Sequence, residues 1–219
     1  VIDGGDCELS SGIMSVLNAK RFTLKNITFR NLKVKSTANS GRAGIYLSNV
    51  TEGVMSNIAF ERCKLIVDAD VAFAVNGGLL HITTSGHVFV RDFTVDGFEV
   101  DALKSTKALT MKGIAVYVNS AYVQILGSRY IGCTFKSTVS TSTMMGIVFD
   151  NASTCQNFNA LVTGCGRAEG ENMVGRTALV YKEHSKIAYY YNCTFAGNNA
   201  QCYVGSANNA TYFYNCIFT

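Results

Sequence analysis

The fold is decided by a pentapeptide that occurs twice, as YNCTF at 191–195 and as YNCIF at 214–218. The first copy begins at Tyr191 and the second at Tyr214, an offset that leaves room for only two or three short strands. A unit of that length that returns in the same orientation is a turn of a solenoid. The repeated pentapeptide therefore predicts a chain that coils rather than one that folds back as hairpins.

The motif can be traced through the chain when it is written as Asn, Asp or Gly followed by apolar–x–apolar. Its copies begin at Asn26, Asn57, Asp92, Gly132, Asn159, Asn192 and Asn215. The interval between successive copies varies, and it is longest between Asp92 and Gly132 and shortest between Asn192 and Asn215. A second run of β-branched and aromatic residues precedes most copies by about ten residues, so each interval holds at least two strands.

Stacked copies of the motif place equivalent residues above one another at a spacing of about 4.8 Å. The second position gives one inward column: Ile27, Ile58, Phe93, Cys133, Ala160, Cys193 and Cys216. The fourth position gives another: Phe29, Phe60, Val95, Phe135, Val162, Phe195 and Phe218. The first position holds residues that tolerate a left-handed corner, and their stacked amides can hydrogen bond as an asparagine ladder.

This repeat resembles the right-handed parallel β-helix of the pectate-lyase-like superfamily over the whole chain. The stretch NCTFAGNNA, followed one coil later by NCIFT, also resembles the repeats of polymorphic outer-membrane proteins and related β-helical adhesins, and GRAGIYL and MMGIVF echo their second hallmark. We therefore expect an all-β, right-handed parallel β-helix that covers positions 1–219, with about seven coils of roughly 23–40 residues each. The resemblance implies an extracellular location or one on a cell or virion surface.

Composition excludes several other classes of protein. Hydrophobic residues make up 48% of the chain and charged residues 16%, which argues against a disordered chain or a coiled coil. A net charge of +4 is too small to indicate a nucleic-acid partner. No apolar run approaches the roughly 18 residues that cross a bilayer, so no membrane span is expected.

The eight cysteines fall mainly in predicted core positions. Cys133, Cys193 and Cys216 share one column, and Cys63 and Cys165 recur six positions into the motif. Free cysteine is a small buried hydrophobe, so buried thiols are one interpretation. One or two disulfides, involving Cys7 or Cys202, are the other.

The outward position after the fourth motif residue reads Arg30, Glu61, Asp96 and Lys136 on successive coils. In pectate-lyase-like enzymes, outward carboxylates on adjacent coils hold calcium, and a nearby Arg or Lys removes the substrate's proton. That resemblance implies Glu61 and Asp96 as calcium ligands, with Lys136 or Arg30 as the base. The alternative is a surface ladder of ion pairs, Arg30 with Glu61 and Asp96 with Lys136, which stabilises little.

Two aromatic runs in the last coils lie in phase, Tyr189–Tyr191 and Tyr212–Tyr214. They predict either an external strip that binds a partner or a sugar, through Tyr190, Phe213, Tyr191 and Tyr214, or stacking inside the solenoid.

Asn-x-Ser/Thr sequons outside the predicted ladder make three residues candidates for N-glycosylation. They are Asn49, Asn151 and Asn209.

Three functions are compatible with these features. The first is a non-enzymatic surface module, such as an adhesin, spike or filament component. The second is a polysaccharide lyase, glycoside hydrolase or phage tailspike, and the third is a module that binds glycans without cleaving them. Because Cys216 and Phe218 belong to core columns, we expect the ends to be covered by more chain or by a stacked subunit.

Overall fold

The computed structural model describes residues 1–5, 7–36, 44–68, 72–168, 177–184, 186–205 and 210–219. Within these ranges the chain forms strands and no helix, and its parallel sheets stack as a β-solenoid of about five turns. No helix long and apolar enough to span a membrane occurs among these residues.

The described strands follow one another in short succession. They are β1 (Ile2–Asp3), β2 (Glu8–Leu9), β3 (Met14–Leu17), β4 (Arg21–Arg30), β5 (Lys33–Ser36), β6 (Ile45–Ser48), β7 (Glu52–Glu61), β8 (Lys64–Val67), β9 (Phe73–Asn76), β10 (Leu80–Thr83), β11 (His87–Asp96), β12 (Glu99–Ala102), β13 (Leu109–Lys112), β14 (Val116–Asn119), β15 (Tyr122–Leu126), β16 (Arg129–Ile131), β17 (Thr134–Ser137), β18 (Thr143–Asn151), β19 (Thr154–Phe158), β20 (Leu161–Thr163), β21 (Gly166–Arg167), β22 (Thr177–Glu183), β23 (Ala188–Tyr191), β24 (Thr194–Ala196), β25 (Gln201–Gly205), β26 (Thr211–Tyr214) and β27 (Ile217–Phe218).

Three parallel sheets wrap one core. Sheet 1 runs from β1 and β4 through β7 and β11, and then continues in two halves, β15-β19-β23-β26 and β16-β20-β24-β27. Sheet 2 has the order β2-β5-β8-β12-β17-β21, and sheet 3 the order β3-β6-β10-β14-β18-β22-β25, with β9 and β13 beside it. Each strand pairs with its equivalent one turn away, as in a parallel solenoid.

Three columns of left-handed residues form the corners. Corner 1 bends sheet 1 and contains Asn26, Asn57, Asp92, Gly127, Asn159, Asn192 and Asn215. Corner 2, between sheets 1 and 2, contains Asn31, Arg62, Gly97, Gly132, Gly164 and Gly197. Corner 3, between sheets 3 and 1, contains Asn18, Asn49, Thr84, Ser120, Ala152 and His184. Asparagine, aspartate and glycine dominate because they adopt the left-handed backbone at the lowest cost.

The predicted asparagine ladder is confirmed. Asn57 Nδ2 donates to Asn26 Oδ1 at 3.0 Å, and Asn215 Nδ2 donates to Asn192 Oδ1 at 2.8 Å, both along corner 1. A further step occurs at corner 3, where the Asn49 amide donates to Asn18. These side chains are solvent-exposed, so the ladder lies on the outside of the corner.

The predicted position of the fourth motif copy is wrong. Val95 lies opposite Tyr130, not Phe135, and Phe135 lies opposite Val100 in sheet 2. The corner residue is therefore Gly127, and Gly132 belongs to corner 2. With Gly127 in place, the interval that follows Asp92 shortens and the next one lengthens, so the turns before Asn192 become nearly uniform in length.

The corrected register changes the core columns at one turn. Counted from corner 1, Ser128 and Tyr130 occupy the places predicted for Cys133 and Phe135, and both are buried. With Gly127 in the fourth place, seven copies of the motif stack along corner 1, but the last two turns, beginning at Asn192 and Asn215, have no strand of sheet 2 among the described residues. That difference explains why about five turns, rather than seven, are complete.

All eight cysteines are free thiols. Cys63, Cys133, Cys155, Cys165 and Cys193 are buried, whereas Cys7 is exposed. Cys133 and Cys165 are neighbours in the column that follows corner 2, where the Cys133 N–H donates to Cys165 Sγ at 3.4 Å. The interpretation of the cysteines as core filler is thus confirmed for these five residues.

Candidate functional site

The half of sheet 1 that precedes corner 1 presents two parallel columns of side chains to solvent, because every second residue of a strand points outward. The first, which we call the corner column, contains Lys25, Ser56, Arg91, Leu126, Phe158, Tyr191 and Tyr214. The second, the middle column, contains Thr23, Val54, Phe89, Gln124, Gln156, Tyr189 and Tyr212. Both columns follow the solenoid axis across seven turns.

A groove of about 750 Å³ lies on this face. The outer groove is lined by Lys25, Val54, Met55, Ser56, Phe89, Val90, Arg91, Gln124, Leu126 and Phe158. Its floor carries large apolar side chains in contact with solvent, since Phe89 is 44% exposed and Val54 38%. Lys25 and Arg91 give it positive charge, and none of the described residues that line it is acidic.

The outer groove leads into a strip of stacked rings that we call the aromatic strip: Phe158, Tyr189, Tyr191, Tyr212 and Tyr214. Ring centroids are 4.9 Å apart for Phe158 and Tyr191 and 5.0 Å apart for Tyr191 and Tyr214, and the stacked rings are nearly parallel. Tyr189 and Tyr212 stack at 5.6 Å. The pKa of Tyr191 is raised, mainly by desolvation and to a smaller extent by the neighbouring Tyr214 and Tyr189. Its hydroxyl group therefore stays protonated near neutral pH.

Side-chain hydrogen bonds hold the middle of this face in place. Gln124 Nε2 donates to Gln156 Oε1 at 2.6 Å, and Tyr122 Oη donates to the same oxygen at 3.1 Å. Gln124 Nε2 also donates to Tyr122 Oη at 3.1 Å. These fixed amides and hydroxyl groups offer polar contacts beside the apolar floor of the groove.

Two of the four aromatic residues predicted to bind a ligand, Tyr190 and Phe213, point into the solenoid and not to solvent. Tyr190 is only 2% exposed, and its ring stacks on Phe213 at 5.1 Å inside the solenoid. Phe213 is partly buried against Phe195. Alternation along β23 and β26 puts Tyr191 and Tyr214 on the outer face instead, where they belong to the aromatic strip.

The predicted charged column is broken at Lys136. Arg30 lies opposite Glu61, and Glu61 lies opposite Asp96, as expected, and Arg30 Nε contacts Glu61 Oε2 at 2.8 Å. The next residue in that column, however, is Ile131. Lys136 lies in sheet 2 opposite Asp101, because corner 2 and not corner 1 precedes it.

Lys136 instead joins a network of four charges on the outer face of sheet 2. Lys64 Nζ contacts Glu99 Oε1 at 2.8 Å and Asp101 Oδ2 at 2.6 Å, and Lys136 Nζ contacts Glu99 Oε2 at 2.6 Å. Desolvation raises the pKa of both carboxyl groups, but the hydrogen bonds from the lysines outweigh it and leave the pKa lowered. Each carboxylate is therefore neutralised by a lysine, an arrangement typical of a stabilising surface network.

The remaining predicted site residues are dispersed. Glu61 and Asp96 are adjacent on the outer face, but no group of three or more His, Cys, Asp or Glu side chains that could hold a metal ion occurs in the described ranges. Asn49 is exposed at corner 3, where its amide already bonds to Asn18. Asn151 is half-buried at the end of β18, and Asn209 lies outside the described residues.

Sequence reasoning missed most of the outer groove, including Lys25, Phe89, Arg91 and Leu126. The signal was present, because the corner column is simply the residue that precedes each left-handed residue of corner 1. Reading it required the correct corner at Gly127, which puts Leu126 between Arg91 and Phe158.

No protein-family model matches the sequence, and neither a curated protein nor a solved structure matches it. The function must therefore follow from the chemistry of the residues themselves.

Proposed function

We propose that the chain is a non-enzymatic β-helical module of a cell-surface or extracellular structure, and that its outer groove binds an extended acidic glycan. The observation that carries the proposal is the composition of the groove. It combines an exposed apolar and aromatic floor with two cations, Lys25 and Arg91, and no acidic residue among the described lining residues.

The shape of the surface favours a polymer over a small molecule. The corner and middle columns extend along the solenoid axis, and the aromatic strip continues the groove. The stacked rings cover one another's faces and present their edges and the tyrosine hydroxyl groups along the strip, and this combination of apolar edges and hydroxyl groups suits the apolar and polar parts of sugar rings. Because cations attract carboxylate or sulfate groups in a partly desolvated groove, an acidic chain fits better than a neutral one.

Binding without cleavage is the better interpretation because acid–base catalysis needs a titratable pair within hydrogen-bond reach of the scissile bond. The described lining of the groove holds no carboxylate or histidine side chain. Glu61 and Asp96 lie beyond corner 1, and Glu61 is held by Arg30. The resemblance to pectate-lyase-like proteins and β-helical adhesins agrees with a glycan ligand and a surface location.

The experiment is a titration with polygalacturonate, hyaluronan and neutral dextran of matched length. We expect the acidic polymers to bind, with an affinity that falls as salt increases, and dextran to bind far more weakly. Arg91→Gln should weaken binding of the acidic polymers by about tenfold or more, since a hydrogen bond to a charged group contributes roughly 1.5–3 kcal/mol. Tyr191→Ala should weaken the binding of all bound polymers, because it removes a hydroxyl group and a ring edge from the middle of the aromatic strip.

The matched control is Lys104→Gln, which removes an exposed cation outside the groove and should leave binding unchanged. Equal binding of dextran and acidic polymers, or an equal effect of Lys104→Gln and Arg91→Gln, would contradict the assignment of the groove. New reducing ends or unsaturated products during incubation would show that the chain is an enzyme instead.

End-to-end contacts remain part of the proposal. Phe218 in β27 is 50% exposed, although its equivalent one turn earlier, Phe195, is only 2% exposed in the core. A β-helical turn of another subunit, stacked on this end, would cover Phe218.

A further inference from the structure

Two oppositely charged residues occupy the interior of sheet 3. The inward column there begins with Val16, Leu47, Ile82 and Val118, and its next two members are Asp150 and Lys182. Lys182 is fully buried and Asp150 is 1% exposed. Aliphatic side chains precede them in the same column, so the two charges are not required by the fold.

The contact between them is close but poorly satisfied. Lys182 Nζ lies 3.0 Å from Asp150 Oδ2, and it donates a hydrogen bond to the Ser153 carbonyl, also at 3.0 Å. Both oxygens of Asp150 are buried, and neither accepts a hydrogen bond of good geometry from the described part of the chain. Cys155, which is buried nearby, adds no charge at neutral pH, because burial raises its pKa.

An ion pair in this position has a large desolvation free energy, because each charge loses its water of hydration. The attraction between the two charges offsets that free energy only when additional hydrogen bonds are present. Burial raises the pKa of Asp150 to about 6, although Lys182 opposes that shift. Transfer of one proton along the contact converts the ion pair into a carboxylic acid beside a neutral amine. That form avoids the cost of two buried charges.

We propose that Asp150 and Lys182 become joined by an isopeptide bond that links two successive turns of the solenoid. A neutral lysine amine is a nucleophile, and Lys182 Nζ is held in direct contact with the Asp150 carboxyl group, 3.0 Å from Oδ2, so no encounter step is needed. Lys182 Nζ attacks Cγ of the protonated Asp150 carboxyl group and forms the C–N bond. The bond from Cγ to one oxygen then breaks, and that oxygen leaves as water with a proton from Nζ.

The step balances without an oxidant, a reductant or a second reactant, since one water molecule is the only product released. The hydroxyl group of Tyr190 is buried and without a hydrogen-bond partner among the described residues. The pKa of Tyr190 is raised, mainly by burial and to a smaller extent by Cys155 and Asp150. The Tyr190 hydroxyl group therefore stays protonated in the interior and adds no further charge near Asp150.

The product would suit the interior better than the ion pair does. An amide carries no net charge, and the bond would tie β18 to β22 across a register in which Asp150 and Lys182 are direct partners. The chain between them includes residues 169–176, outside the described ranges, so a cut there would leave the two turns attached. This proposal does not depend on the outer groove or on its ligand.

Intact-mass spectrometry of the folded wild-type chain tests the proposal. We expect a mass lower than that of the sequence by one water molecule. Trypsin should then yield one species in which the peptide 137–167 is joined to the peptide 177–186, because acylated Lys182 is not cleaved. A folded wild-type chain at its full sequence mass would overturn the proposal.

Two variants separate the isopeptide bond from other losses of water. Lys182→Met should restore the full mass, whereas a succinimide at Asp150 would persist in that variant and would count against the proposal. Lys112→Met is the matched control, because Lys112 pairs with Glu183 at 3.1 Å in a position that is not fully buried; the loss of water should persist there. If Lys182→Met does not fold, the joined wild-type peptides decide the question alone.

Discussion

Replacement of Gly127 by asparagine should stabilise the protein, because it completes corner 1. Gly127 has φ = +69°, and its neighbours in the column, Asp92 and Asn159, have φ of 51° and 56°. A Cβ atom added to Gly127 would meet only Asp92 Oδ1, at 3.0 Å, within 4 Å. Because that oxygen belongs to an exposed and flexible side chain, it can rotate to accept a hydrogen bond from the new amide.

The expected gain has two parts. Loss of glycine's freedom in the unfolded chain contributes about 0.4–1 kcal/mol where the new residue can adopt the native backbone. A new hydrogen bond contributes about 0.5–1.5 kcal/mol. The left-handed backbone costs asparagine less than the roughly 1–2 kcal/mol that it costs other residues. The net change should be a stabilisation of about 0.5–1 kcal/mol for Gly127→Asn and a destabilisation for Gly127→Val.

Urea unfolding followed by circular dichroism measures these differences. The matched control is Gly113→Asn, since Gly113 also has a left-handed backbone, φ = +68°, but its added Cβ would overlap the carbonyl of Val116. That variant should lose about 2 kcal/mol or more. A loss of stability in Gly127→Asn similar to that in Gly113→Asn would refute the assignment of Gly127 to the ladder.

Two further predictions concern charge and association. Glu99 and Asp101 have lowered pKa in the folded state, so their stabilisation is present above the unfolded pKa of about 4 and is lost as pH falls through the lowered values. Lys64→Met should therefore flatten the dependence of the urea midpoint on pH below about 5. The control is Arg21→Met, which breaks an exposed pair with Glu52 and should leave that dependence unchanged. If Lys64→Met does not alter the slope of the urea midpoint against pH, the stabilising role of the network is contradicted. Sedimentation velocity should show concentration-dependent association that Phe218→Glu reduces, and a single monomeric species at every concentration would exclude end-to-end contacts.

The sequence was sufficient to predict the parallel solenoid, the ladder and most of the core. Periodic side-chain requirements explain this success. A left-handed corner accepts few residue types, and an inward column excludes most polar ones. The start of a turn can therefore be recognised from the sequence alone at Asn26, Asn57, Asn192 and Asn215. The inward position is identified in the same way by Phe29 and Phe60.

The error at the fourth copy has a physical origin. Corner 1 and corner 2 are five residues apart on each turn, as at Asn26 and Asn31 or at Gly127 and Gly132. The first and third residues after either corner point inward. A shift of five residues therefore exchanges one left-handed corner for the other and preserves the alternation of apolar and polar residues. Only the pairing of Val95 with Tyr130 reveals the shift.

The buried charges could not be anticipated in the same way. Alternation along β18 and β22 places Asp150 and Lys182 on the inward face. A charged residue is nevertheless expected to point outward unless the pairing of its strand is known. The register of sheet 3 also shifts between Met145 and Val148. Residue polarity therefore conceals that Asp150 and Lys182 lie in the interior.

Register also determines which side chains stand beside Asp96. With Phe135 in the column of Val95, Lys136 would stand beside Asp96 as a base next to a pair of carboxylates. With Tyr130 there, Asp96 is followed by Ile131, and Lys136 is committed to Glu99 on another sheet. The same correction brings Leu126 into line between Arg91 and Phe158, which makes the outer groove continuous. A displacement of one turn by five residues therefore takes Lys136 away from Asp96 and brings Leu126 into the outer groove.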